Sequence, residues 1–96
     1  MSLFVVKHQH SAETCPAGDP QMGPMLLQHL SKPNAAQFGV DIRSEAVVDG
    51  QHTLYLVAEA DAPETLEAFV APFAQAGSVE VLAASPCEQV VARAAC

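Results

Sequence analysis

Positive charge is scarce in this chain. Lys7, Lys32, Arg43 and Arg93 are its only basic side chains among 96 residues, and against eleven acids they leave a formal charge of −7. That balance provides no basic stripe to neutralise phosphates, which excludes nucleic acid and anionic membrane surfaces as partners. Long apolar runs are missing as well. The opening "MSLFVVKHQH" has no positively charged leader region and an apolar run of only four residues, too short for a signal core or a membrane span. A cytoplasmic protein is therefore expected. Cysteine is limited to Cys15, Cys87 and Cys96, and an odd number without an export signal points to reduced thiols in metal, redox or packing roles rather than a disulfide framework. No glycine-rich phosphate cradle, nucleophile elbow, helical zinc-protease motif or internal repeat is present. Phosphoryl transfer and serine hydrolysis thus lack support, and no organic cofactor is expected.

What the chain does contain is apolar sequence in regular patterns. Half of its residues are apolar, enough for one domain over residues 1–96 to form a core without disulfide staples. In "LFVVKHQH" the residues alternate, so Phe4, Val6, His8 and His10 share one face of a strand and Leu3, Val5, Lys7 and Gln9 the other. The loop "SAETCPAGDPQMGP" leads into a helix with Pro24 at its start and Met22, Met25, Leu26, His29 and Leu30 on one stripe, ended by Lys32-Pro33-Asn34. Two β-rich runs flank Asp49-Gly50, which reads as a two-residue hairpin turn with Val47 opposite His52 at the start of the third strand. A helix capped by Asp61 follows, with a core stripe of Leu66, Phe69, Val70 and Phe73, a weak point at Pro72 and Gly77 beyond its end. "SVEVLAA" is a fourth strand. Ser85, Pro86 and Glu88 then have capping-box spacing for a short C-terminal helix over 85–96, with Cys87 in its first turn.

Strand, helix, strand, strand, helix, strand predicts an α+β, ferredoxin-like βαββαβ sandwich over residues 2–84, with antiparallel sheet order 4-1-3-2. Helices cover one face of such a sheet, yet Leu3 and Val5, like Tyr55 and Val57, make the other face apolar too. A second copy of the chain is expected to close over it, giving a homodimer. With this topology and strand pattern the chain resembles a protomer of the dimeric α/β-barrel superfamily. Its "HQHSAETCP", "APFAQAGSVEV" and "SPCEQVV" segments are also similar to a group of small bacterial proteins of that fold. The resemblance implies the fold and brings no activity with it.

The chemistry concentrates in "HQHSAETCP". His8 and His10 project from one strand face with Cα atoms about 6–7 Å apart, and Cys15 follows His10 after four intervening residues. The topology brings His52 to the same sheet edge. Imidazole and thiolate together suit Zn²⁺ at about 2.0–2.3 Å, and copper equally. The candidate ligands are His8, His10, Cys15, His52 and Cys87, the last having its thiolate favoured by a helix N-terminus. Strand four ends at the far edge, so Cys87 would join only across a dimer or through a folded-back tail. Glu13 is a possible general base or outer-shell partner. His29, on an apolar stripe, reads as a core histidine with satisfied hydrogen bonds, and Cys96 as a terminal thiol. Two other functions compete with metal binding. One is a monooxygenase-like barrel enzyme acting on a small apolar molecule in a cavity lined by Tyr55, Val57 and the histidines. The other is a thiol redox sensor using Cys15 and Cys87.

Overall fold

The structure is a computed structural model that describes residues 1–96. Its elements are β1 (Ser2–His10), a single 3-10 turn (Ala12–Thr14), α1 (Met22–His29), α2 (Lys32–Gln37), β2 (Asp41–Val48), β3 (Thr53–Ala60), α3 (Pro63–Ala74), β4 (Gly77–Ala84) and α4 (Cys87–Arg93). The four strands form one antiparallel sheet in the order β2-β3-β1-β4, the expected 4-1-3-2 seen from the other edge. None of the helices is long and apolar enough to cross a membrane.

Alternation along β1 decides which face is covered. Phe4, Val6 and His8 are buried, while Leu3, Val5 and Lys7 on the opposite face are only partly so. On β3 the matching positions Leu54, Leu56 and Ala58 pair with His8, Val6 and Phe4 and are likewise buried. Helix α3 supplies the other half of this core through Leu66, Phe69 and Val70, all at most 1 % exposed. Burying one such side chain contributes about 1.5–3 kcal/mol. Ala35 of α2 with Val40 and Ile42 closes the β2 end.

Local chemistry moves several boundaries. Instead of ending a helix, Lys32-Pro33-Asn34 opens α2, after Ser31 in extended backbone. Proline in the first turn forfeits no helical hydrogen bond, so the same signal that stops α1 starts its successor. Helix α1 begins at Met22, not Pro24, because the Asp19 carboxylate accepts the N–H groups of Gln21 at 2.8 Å and Met22 at 2.9 Å. Those N–H groups, Met22 first, hold the Asp19 carboxyl below its ordinary range. Ala62, not Asp61, is the N-cap of α3, and no side chain caps it. Pro72 sits in the last turn of α3, two residues before the helix ends at Ala74. The box expected at α4 does not form: Pro86 is the N-cap, and the Ser85 hydroxyl accepts a 3.2 Å bond from Arg93 Nη1 instead.

The β2–β3 turn is longer than the two residues expected. Val48 pairs with Thr53, and Val47 with Leu54 rather than His52, which sets apolar against apolar on the covered face. Residues 49–52 form the turn, with Gly50 at φ 74° and His52 at φ 50°. His52 is thus released from the strand into a left-handed conformation, uncommon for a residue with a side chain.

The core makes a direct prediction. Phe69→Ala, fully buried, should lower unfolding free energy by about 3–5 kcal/mol in urea titration. Leu27→Ala, at a position 71 % exposed, should change it by less than about 0.5 kcal/mol.

Candidate metal centre

The sheet brings three chain segments to one edge. At the C-terminal end of β1, Gln9 pairs with Thr53 of β3 and His10 with Gly77 of β4. The His10 N–H donates to the His52 carbonyl at 3.0 Å, so the main chain fixes the two histidines as neighbours, with ring centroids 5.3 Å apart. Cys15 returns to the same edge by way of the 3-10 turn. Thr14 pins that turn, donating from Oγ1 to the Ala76 carbonyl at 3.0 Å. One ligand atom from each of His10, Cys15 and His52 then lies within 4.8 Å of the others. Tetrahedral zinc needs about 3.3–3.8 Å between such atoms, given its bond lengths. A bound ion would draw together any pair that stands wider than this.

Hydrogen-bond donors and acceptors determine which nitrogen His10 offers. His8 Nδ1 lies 3.0 Å from the Ser78 carbonyl, and a carbonyl only accepts, so Nδ1 carries the proton. In a neutral imidazole the other nitrogen, Nε2, is then an acceptor. It lies 3.3 Å from His10 Nδ1, which must therefore be the donor. What remains is the lone pair on His10 Nε2, and that atom is buried without a hydrogen-bond partner. A buried polar atom left unsatisfied is costly, and a metal ion is one way to satisfy it. The same relay is how metal-binding histidines are normally oriented. Desolvation, followed by the neighbouring His8 and His52 charges, pushes the His10 pKa below its ordinary value, which keeps it in the neutral form that ligates.

Of the five candidate ligands, the structure gathers His10, Cys15 and His52. His8 is displaced from that set: it is 4 % exposed, packs against Phe73 with centroids 5.2 Å apart, and spends both nitrogens on Ser78 and His10. Its place is behind the ligand, orienting it. Cys87 lies elsewhere, because β4 runs from Gly77 beside His10 to Ala84 beside Leu3, about 23 Å away at strand rise, and Cys87 follows that far end. Cys15 and Cys87 are consequently too distant for a disulfide within one chain. Glu13 and Cys96 are exposed and outside the group. His29 behaves as expected of a core histidine. Its Nε2 donates to the Phe69 carbonyl at 2.7 Å, Asn34 Nδ2 lies 3.4 Å from its Nδ1, and its ring stacks on Phe69 at 4.5 Å.

A cavity of about 590 Å³ opens between the sheet and α1, and His10, Cys15 and His52 are in its wall. Tyr55 and Val57 do not line it, contrary to expectation, since the strand period puts them on the opposite sheet face with Lys7 and Val5. Reasoning from side chains missed Ser78, which acts through its carbonyl, and Thr14, a single hydroxyl in a polar loop. No family model, curated protein or solved structure matches the chain.

The lowered His10 pKa fixes a pH dependence for the metal-stripped protein. Between the folded value and about 6.5, the usual value for histidine, the unfolded chain binds more protons than the folded one. Stability should accordingly rise with pH through that window and level off above about 6.5–7. Urea midpoints between pH 5 and 8 measure it, and His10→Gln should flatten the rise.

Proposed function

We propose that this is a metal-binding protein whose His10 Nε2, Cys15 Sγ and His52 imidazole hold one Zn²⁺ or copper ion. The observation that carries the proposal is the buried, unpartnered lone pair on His10 Nε2, left free by the Ser78–His8 relay on a ring that has one nitrogen within 4.8 Å of ligand atoms of Cys15 and His52. A two-nitrogen, one-sulfur donor set favours zinc or copper over hard cations such as Mg²⁺ and Ca²⁺, which take oxygen. His52 in its left-handed turn fits the same reading, because unusual backbone conformations cluster at functional sites.

The chain is further read as a ferredoxin-like protomer of a homodimer. Supporting this, Val5 lies on the open sheet face between Val57 and Leu82, with Leu3 and Tyr55 beside them. Leu82 is half exposed and Tyr55 37 % exposed. A contiguous apolar strip of this kind on a monomer marks an interface. The metal group lies on the other face, so the two proposals stand separately.

Chelator-stripped protein titrated with Zn²⁺ or Cu²⁺ and analysed by elemental mass spectrometry should load one ion per chain. His10→Ala and Cys15→Ser should abolish stoichiometric loading, while His8→Phe, which removes the orienting bond together with the bond to the Ser78 carbonyl but no ligand, should weaken affinity by about 10–100-fold. Wild-type protein that takes up neither metal at neutral pH overturns the reading. For the dimer, sedimentation at micromolar concentration should give twice the chain mass, and Leu82→Glu should give a folded monomer. A wild-type monomer would rule the pairing out.

A further inference from the structure

The apolar lining of the cavity includes Met22, Met25, Leu26, Leu30, Val47 and Phe73. Helix α1, which carries the first three, buries none of its residues, and Met25 is 65 % exposed. Leu30 and Phe73 reach the core from this lining, whereas Met22 and Met25 stand exposed beside the cavity on a helix tied to α3 by the His29 bond to the Phe69 carbonyl. Charge narrows what enters. No lysine or arginine lines the cavity, whereas Glu45 and Asp49 do, so the metal's own charge would be the sole attraction for a carboxylate or phosphate, set against two carboxylates of the wall and partly neutralised by the Cys15 thiolate, while a neutral donor meets no such repulsion. Volume is no obstacle, because about 590 Å³ falls within the usual 300–1,000 Å³ of small-molecule sites.

The metal group adds the polar anchor. Three protein ligands are what an open zinc site has, the fourth position being taken by water or a bound molecule. His10, Cys15 and His52 all line the cavity, so a molecule inside it is placed to supply that fourth donor. We infer that the cavity binds a neutral, largely apolar small molecule carrying one nitrogen or sulfur donor, which completes the coordination of the metal while its apolar body rests against α1 and Phe73. This rests on the metal reading and states what kind of site it is: a ligand-binding centre, not a closed structural one.

The test uses the protein loaded with Co²⁺, whose visible absorption reports its coordination sphere, and three probes: imidazole, 4-phenylimidazole and imidazole-4-carboxylate. The phenyl ring should be buried against the apolar wall, so 4-phenylimidazole should bind at least about tenfold more tightly than imidazole, and the carboxylate more weakly than either. Met25→Asp, an exposed position on α1, should reduce the phenyl advantage to less than about threefold, with the spectrum of the imidazole complex as the check that the centre is intact. Cobalt bound with equal affinity for imidazole and 4-phenylimidazole overturns the cavity assignment and leaves the metal centre standing. Protein that binds no cobalt overturns both, and a carboxylate probe that binds best overturns the charge argument and the ligand class with it.

Discussion

A single bond from a buried imidazole to a backbone carbonyl governs the candidate centre. His8 sits where the core would otherwise continue, paired with Leu54 on one side and Val79 on the other. Its polar nitrogens must find partners there or the fold loses stability. The Ser78 carbonyl accepts one N–H, and this choice propagates: with Nδ1 protonated, Nε2 can only accept, and His10 can only present its far nitrogen. A polar side chain in the core is tolerated because each of its polar atoms is used, and the last lone pair of the chain is delivered to the cavity edge.

This placement grades β1 from dry to wet. Phe4 and Val6 are in the core, His8 is buried but polar, and His10 is half buried at the cavity. The alternation that puts Phe4 and Val6 under α3 therefore also puts both imidazoles under it, two residues apart on one face. Desolvation of His10 and its two histidine neighbours act in the same direction, against protonation. Burial, the larger cause, and the two neighbouring imidazoles thus extend the pH range over which His10 stays neutral below that of an ordinary histidine.

Legibility in the sequence followed the range of the interaction. Period-two strands and the Leu66–Phe69–Val70 stripe were readable because each pattern lies within one element, and the strand order followed from connection rules. The α1–α2 boundary was not, because Pro33 is equally good at ending one helix and starting another. Nor was the turn at 49–52, whose length is set by cross-strand packing of Val47 on Leu54 and not by Asp49-Gly50. For the site, spacing brought out His8 and His10 as the leading pair with Cys15 as their third ligand and topology added His52 and Cys87 as further candidates, whereas the structure groups His10, Cys15 and His52 and sets His8 behind them. Its actual partner is a carbonyl seventy residues away, and backbone groups leave no side-chain signature. Tyr55 and Val57 were grouped with the histidines although the strand period already assigned them to the other face.

The carbonyls that position both ligand-bearing segments flank one residue. Ala76 accepts Thr14 and so holds the turn that carries Cys15; Ser78 accepts His8 and so sets His10. Between them, Gly77 starts β4 pressed against β1, where a Cβ would collide with the Gln9 carbonyl oxygen and come within 2.9 Å of His10 Cα. Any larger residue would have to push β4 away from β1, and both carbonyls would move with it. The close approach at Gly77 thus couples the α3–β4 corner to the whole donor set. Glycine at the end of α3 does not serve as a helix cap, since Gln75 ends the helix in right-handed backbone. It is required by strand contact, and through that contact one corner of backbone aligns the imidazole at the end of β1 with a thiol five residues further on, in a loop that has no strand or long helix of its own to hold it.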